Sequence, residues 1–527
     1  MAQEQTLEIP FLEYDGTTVL KYNFAIPSSK HVPCFRKLQR TKTDNMLNRI
    51  LRNTAEFIES VPKAERKQYG QFFTSVQSAR HMADMFHFDL SKPTISILDA
   101  GAGTGLLSAA AICHLANKGY TGHIHVVCYE TDEKVLPILT KNLEFLKSEV
   151  DISYVVNTNN YITSQPFERL ASYNKEVYDY IIGNPPYLKI AKDAPEALWM
   201  PQVCYGAPNL YFLFWAMGIY NLKADGELVY IVPRSWTSGA YFEHFRNYLF
   251  AHAVITGVHL FVSRDKVFNQ ESVLQETIIV RIKKTNVKPK LVEVTSSSSA
   301  TYDDTTQMMV PYETIVAKNQ YVFLVTNEEE AKVLQRVNKL TETLPTLDLR
   351  MRTGIIVDFR TREVLRNKAE SSSYPLFYSS HIKDGKVIWP IGKDGEHIVT
   401  DRKGFLQPNG NYLFVKRFTS KEEPRRLQCG MYRQKDYPQY KYISTQNKIN
   451  YIACTSLCVL YGMYALMGST LYDQYYRILN GSTQVNSTEI NTMPVPSRNV
   501  IEAMGRELMN MPITENSCNY LVEKWIS

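Results

Sequence analysis

Ile95-Ser96-Ile97-Leu98-Asp99-Ala100-Gly101-Ala102-Gly103-Thr104-Gly105 is a short apolar run broken by three glycines, and an apolar stretch through about Leu115 follows it. That order predicts strand, tight turn, helix. Glycines let a backbone turn sharply and approach a ligand closely, and the helix start beyond them presents unpaired N–H groups. Leu106 stands where a dinucleotide-binding loop would place its third glycine, so a pyrophosphate ligand is disfavoured. The register is instead D-x-G-x-G-x-G. Its acid at the strand end suits a ligand carrying an ammonium group, which makes Asp99, Gly101 and Gly103 candidate binding residues.

Outward from this point, β-rich runs recur at 123–130, 152–156, 177–183 and 227–233, separated by longer helical patterns. Strands alternating with helices predict a mostly parallel sheet covered on both faces. Residues 254–262 and 274–282 read as a closing antiparallel pair. Helical spacing over 40–60 predicts a helical extension before that unit. The alternation ends at the serine-rich stretch 291–304, read as an exposed loop, which places a boundary near residue 300. The expected fold is α/β: a seven-stranded Rossmann-like sheet over 61–300 after a helical segment at 1–60, then a mixed α+β domain over 301–527.

Composition narrows the class. The chain has 527 residues, enough for about two to four domains. With 44% hydrophobic and 21% charged residues it is globular in character rather than disordered or fibrous. The start, MAQEQTLEIPFLEY, has neither the basic flank nor the apolar core of a secretory signal. No apolar run is long enough to span a bilayer. Eight scattered cysteines lack paired zinc-site spacing, so reduced thiols and no metal are expected. A cytoplasmic location follows.

Two further motifs carry chemistry. Glu130 ends the second strand, where a carboxylate can accept from both hydroxyls of a ribose. Asp132 is read as capping the next helix. After the fourth strand comes Asn184-Pro185-Pro186-Tyr187. Two prolines stiffen the backbone and remove two N–H donors. What remains is a cluster of acceptors, the Asn184 side-chain oxygen and the Pro185 carbonyl, beside the Tyr187 ring. Such a cluster suits a planar substrate bearing an NH2 group.

The ordered set Gly70-Gln71-Phe72-Phe73-Thr74, Asp99-x-Gly101-x-Gly103, Glu130 and Asn184-Pro185-Pro186-Tyr187 resembles the adenine-N6 DNA methyltransferases. The motif order is that of the gamma class, whose type member is the TaqI methyltransferase, within type II restriction-modification systems. The chain is also similar to the PstI/BsuBI-type modification enzymes. The resemblance implies S-adenosylmethionine as cofactor and a flipped adenine as acceptor. Thr74 would line the cofactor's methionine end, Glu130 would hold its ribose, and Asn160 falls where the family has an Asp contacting its adenine. Phe268 falls where the family stacks a Phe on the extruded base, beside Tyr187. Double-stranded DNA is the implied partner, with a cognate restriction endonuclease as a genetic partner only, and a monomer suffices if each strand is methylated separately. Glutamine-N5 methyltransferases share the NPPY tetrapeptide but are compact. A protein or RNA methyltransferase and a non-catalytic DNA-binding regulator remain the alternatives.

The second half adds charge. Residues 402–435 hold nine Lys and Arg against two Glu, in a chain whose net charge is only +6. Cations interleaved with Tyr and Phe match a surface that follows phosphates, and Lys416, Arg417, Lys421, Arg425 and Arg426 are the candidates. Arg352, Arg360 and Arg362 extend it, and residues 480–486 with 493–496 resemble the end of a target-recognition domain. Glu330-Ala331-Lys332 has the spacing of a nuclease motif but reads as a surface helix.

Overall fold

The apolar residues around Leu98 form strand β1 (Thr94–Ala100), flanked on one side by β2 (His123–Tyr129) and β3 (Ile152–Asn157). On its other side lie β4 (Tyr178–Gly183) and β5 (Leu222–Pro233), and all these pairings are parallel. The closing pair, β6 (Val254–Phe261) and β7 (Thr277–Lys283), is antiparallel, with β7 inserted between β5 and β6. This computed structural model describes residues 34–60, 74–168, 177–261, 277–298, 302–420, 422–480 and 483–526. Gly70 through Phe73, Phe268 and Lys421 lie outside the described residues.

The sheet is wider than the seven strands expected. β8 (Leu291–Ser297) runs parallel beside β6, and β9 (Thr306–Pro311) closes the edge, giving the order β3-β2-β1-β4-β5-β7-β6-β8-β9. The stretch read as a loop is thus half strand. Val292 and Val294 point inward in a period of two, and the serines that hid the pattern begin at its end.

Alternation sorts the side chains onto two faces. Ile95 and Ile97 of β1 and Val229 and Ile231 of β5 pack on one; Leu98, Ala100, Leu228, Tyr230 and Val232 pack on the other. Each such burial is worth about 1.5–3 kcal/mol before chain entropy. The first face is covered by α1 (Cys34–Ser60), α2 (Val76–Asp84), α3 (Leu106–Asn117) and α4 (Leu136–Glu149), the second by α5 (Leu210–Asn221) and α6 (Glu243–His252). Met46, Leu47 and Ile50 of α1 are buried in the first layer, so the expected extension is part of this unit.

Beyond β9, short strands form a six-stranded and a five-stranded sheet. Around them lie α7 (Glu328–Asn338), α8 (Leu457–Met467), α9 (Thr470–Leu479), α10 (Ser487–Thr492), α11 (Arg498–Leu508) and α12 (Glu515–Trp525). Glu330 lies in α7 and accepts from Thr326, and Lys332 pairs with Glu329, as a surface helix requires. α8 and α11 touch backbone to backbone: a Cβ on Gly462 would sit 1.9 Å from the Ile501 carbonyl, and one on Gly505 1.8 Å from that of Cys458. The hydrophobic core of the second sheet face runs on into these helices without a break. Among the described residues no helix is long and apolar enough to cross a membrane.

At the end of the sheet away from the glycine turn, Asp179 joins three strands. It accepts from Lys92 (2.5 Å), from the Ser96 N–H and hydroxyl (2.9 and 2.6 Å) and from Lys223 (3.0 Å). Burial opposes its charge, but these donors outweigh it and hold the carboxyl at about 2. A depressed folded-state value adds stability that is present above the ordinary value of 3.8 and is lost as pH falls towards 2. Asp179→Asn should therefore lower stability at pH 7, and the difference from wild type should shrink through that acid window in urea titrations. A difference independent of pH contradicts this.

Candidate active site

β1 hands its chain to α3 on one face of the sheet, while β4 hands its chain towards α5 on the other. Adjacent parallel strands that diverge in this way open a crevice at their carboxyl ends. The crevice is lined by Thr74, Gly101–Thr104, Tyr129, Glu130, Asn159, Tyr161, Asn184, Pro186 and Phe214.

Gly101, Gly103 and Gly105 all have positive φ (74°, 54° and 81°), which L side chains adopt only with strain. Gly105 stands at the N-cap of α3 and has no side chain to cap it. Asp99 does so instead, from the strand: Oδ2 accepts from the Ser108 N–H (3.1 Å) and hydroxyl (2.8 Å). Such caps contribute about 0.5–2 kcal/mol. Asp99 is fully buried and outside the lining, and burial pushes its carboxyl up to about 7. It shapes the turn from beneath, where sequence reasoning had put it against the ligand.

Glu130 does line the crevice. Oε2 accepts from the Gly103 N–H (2.9 Å), and Oε1 from the N–H groups of Thr131 (2.8 Å) and Asp132 (2.9 Å). Burial raises its carboxyl against these three bonds. The glycine turn and the carboxylate therefore hold each other in place, and carboxylate lone pairs remain for a diol. Asp132 also lines the crevice and accepts from the Lys134 N–H, so it is more than a cap.

Asn160 does not reach the crevice. Its Oδ1 accepts from the Ile162 and Thr163 N–H groups, its Nδ2 donates to Glu196 (2.7 Å), and the residue is exposed. Asn159 lines the site in its place. Sequence reasoning also missed Tyr129, Tyr161 and Phe214, whose rings form a contiguous set with centroids 5.0 and 5.2 Å apart. Tyr129 ends β2 and Tyr161 follows the end of β3, where ligand residues gather. Phe214 lies within α5 and carries no local signal.

At the NPPY corner, Asn184 Nδ2 donates to the Thr74 hydroxyl (3.1 Å), joining two predicted site residues from distant parts of the chain. A carboxamide held through its nitrogen offers its oxygen as the acceptor. Pro185 is buried behind it. The Tyr187 hydroxyl donates to the Ile231 carbonyl of β5 (2.9 Å), and its ring meets Tyr211 edge-on. Burial holds the phenol far above its ordinary value, so this anchor stays a neutral donor.

The predicted basic residues separate. Lys416 and Arg417 are half-buried beside exposed Phe418. Arg426 is fully buried, donating to Thr419 and to the Asn480 carbonyl. Arg425 pairs with Glu515 and donates to the Ser469 carbonyl at the start of α9. Both therefore tie the fold together and do not offer a phosphate contact; charge type alone does not reveal burial. Asn480, Val485, Met493 and Val495 are likewise buried.

The crevice fits S-adenosylmethionine by its donor set: a carboxylate for the ribose, aromatic faces and an amide for the adenine, and a glycine turn that admits close approach. The Eco57I restriction-modification methylase family matches residues 113–268. The chain is 34% identical over 462 residues to the type II methyltransferase M.PstI of Providencia stuartii, spanning 84% of this chain and 90% of that protein. It is 33% identical over 455 residues to M.BsuBI of Bacillus subtilis, with the same two coverages. Among solved structures it is similar to the type IIL restriction-modification enzyme MmeI (TM-score 0.47, 10% identity, 92% of this chain and 74% of that one). Glu130→Gln replaces an acceptor bound by three N–H groups with an amide. It should weaken S-adenosylmethionine binding about tenfold or more by calorimetry, an effect of about 1.4 kcal/mol or more; unchanged affinity removes Glu130 from the site.

Proposed function

The chain belongs to the type II restriction-modification methyltransferase family of M.PstI and M.BsuBI, and we propose that it methylates N6 of an adenine flipped out of duplex DNA at a specific site. The observation that supports this reading best is the Asn184–Thr74 bond beside the anchored Tyr187 ring, at the rim of the cofactor crevice. S-adenosylmethionine, when bound, would supply a methyl group on a sulfonium, whose sulfur keeps the bonding electron pair and leaves as a neutral thioether when the S–C bond breaks.

The exocyclic nitrogen of adenine is a weak nucleophile because its lone pair is conjugated with the ring. The Asn184 oxygen and the Pro185 carbonyl accept its two hydrogens and draw them out of plane, which localises the lone pair on nitrogen. Tyr187 presents its ring to the base from a fixed place, since its hydroxyl is held by Ile231 and its ring packs edge-on against Tyr211. Orientation of this kind is worth several kcal/mol of barrier. One amino proton leaves to solvent after the new N–C bond forms. The base must leave the stack to reach this corner, at a cost of a few kcal/mol that stacking partly offsets. Phe268 is proposed as a second stacking residue, from the family resemblance. Lys416 and Arg417 are proposed as phosphate contacts, and a cognate endonuclease as the genetic partner.

Asn184→Ala should leave S-adenosylmethionine affinity within about threefold and reduce turnover about a hundredfold or more, the scale of losing a preorganised polar group. Tritiated-methyl transfer, with mass spectrometry for N6-methyladenosine, is the readout; near wild-type transfer or another modified base sinks the assignment. Lys416→Glu should weaken binding to all duplexes alike and lower the salt slope by about 1.

A further inference from the structure

Phe418 is 45% exposed and Phe359 64% exposed. Single exposed apolar side chains are common on protein surfaces, but these two share a setting. Each carries the guanidinium of a chain neighbour, Arg417 at 5.6 Å from the Phe418 ring and Arg360 at 5.4 Å from the Phe359 ring. One turn joins them: Arg417 Nη1 donates to the Asn447 carbonyl (3.1 Å), and the Asn447 N–H donates to the Ile356 carbonyl (2.8 Å). Lys448 is exposed in that turn. The nearby acids are partly engaged, Asp358 by the Phe359 N–H and Glu423 by the Ser420 N–H.

The Phe418 backbone is clamped on both sides. The Val485 N–H donates to the Arg417 carbonyl (2.7 Å) and the Thr419 N–H to the Thr483 carbonyl (3.1 Å). Asn450 Nδ2 fixes the Val485 carbonyl (2.6 Å). The segment opposite Phe418, residues 483–485, then leads to the N-terminal half. The Tyr476 hydroxyl lies within hydrogen-bond distance of both the Gln484 carbonyl (3.2 Å) and Glu489 (3.0 Å), and Glu489 accepts from Ser238 (2.9 Å), just beyond the β5 strand that anchors Tyr187. An aromatic ring that is exposed, backbone-locked, flanked by cations and referenced to the acceptor corner is suited to enter a nucleic-acid stack.

We infer that Phe418 inserts into the base stack of the bound duplex at the extrusion site, filling space the target adenine vacates, while Lys416, Arg417 and Lys448 hold the adjoining phosphates. This rests on the reading of the chain as an adenine-flipping methyltransferase. Insertion has a signature that a structural role lacks: its loss matters only where a base pair must be broken.

The test uses the full chain and duplexes carrying its own recognition site, mapped by sequencing DNA the wild-type protein has modified. With 2-aminopurine at the target position, wild type should raise the fluorescence several-fold on binding, and Phe418→Ala should lose most of that rise. Turnover of the variant should fall about tenfold or more on the matched duplex. It should recover to within about threefold of wild type when the base opposite the target is mismatched or abasic. Equal losses on matched and abasic duplexes, or fluorescence and turnover like wild type, overturn the insertion. Phe418→Leu keeps an apolar wedge and should fall between wild type and alanine. Failure of wild type to methylate adenine in any duplex overturns the parent reading, whereas normal wild-type transfer with an indifferent Phe418→Ala variant overturns this inference alone.

Discussion

The parallel pairing of β1 with β4 is the constraint on which the molecule's chemistry depends. Ile97, Leu98 and Asp99 lie in register with Tyr180, Ile181 and Ile182. Beyond the strand ends the chains lead to helices on opposite faces of the sheet. A cofactor loop and an acceptor loop that belong to separate parts of the sequence are thus fixed side by side by a ladder of backbone hydrogen bonds. The Thr74–Asn184 bond closes the gap between them. No loop in the site has to find its neighbour by itself, because strand register already sets their separation.

Legibility followed the physics of each signal. β1, β4 and β5 could be read because buried parallel strands are continuous apolar runs with glycine or proline at their ends, and the antiparallel β6 and β7 because they too are apolar and β-branched. β8 could not, because Ser296 and Ser297 continue the strand in residues that otherwise mark loops. The glycines, Glu130, Asn184 and Tyr187 could be singled out because their chemistry is local to a motif. Asp99 was read as facing the ligand and instead lies beneath the turn: a strand-end acid can face a ligand or cap the following helix, and only the rotation of the strand decides. Asn159 and Asn160 illustrate the same limit at a resolution of one residue. Phe214 reaches the site from the middle of a helix by tertiary packing alone.

Buried charge at the junction between the halves tells a further story. Arg246 is 2% exposed and donates to the carbonyls of Trp236, Ser238 and Gly239, while Glu489, also 2% exposed, gathers Ser238, Tyr476 and Asn480. Taking such groups from water costs several kcal/mol each, and apolar replacements of equal volume often do as well for stability. Their geometry gives the reason to retain them. The segment between β5 and α6 is held in one conformation by Arg246 from within the N-terminal half and by Glu489 from the C-terminal half, so the two halves share a fixed reference next to the NPPY corner.

That reference also explains the division of labour between polar and aromatic groups. The residues around the cofactor crevice are preorganised by hydrogen bonds made before any ligand arrives: Glu130 to three backbone donors, Asn184 to Thr74, Tyr187 to Ile231. Little reorganisation then remains for the moment of transfer, which is how fixed dipoles outperform water. A stacked base needs the opposite property in its environment, a flat apolar surface tolerant of small shifts, and aromatic rings supply it. Tyr187 joins the two regimes, with its hydroxyl locked into the strand and its ring set edge-on against Tyr211. Because burial keeps that phenol protonated far beyond neutral pH, the lock does not open as pH rises through the working range. Sensitivity to pH then rests with the crevice carboxylate that burial has raised, Glu130, and with the cap that shapes the turn, Asp99.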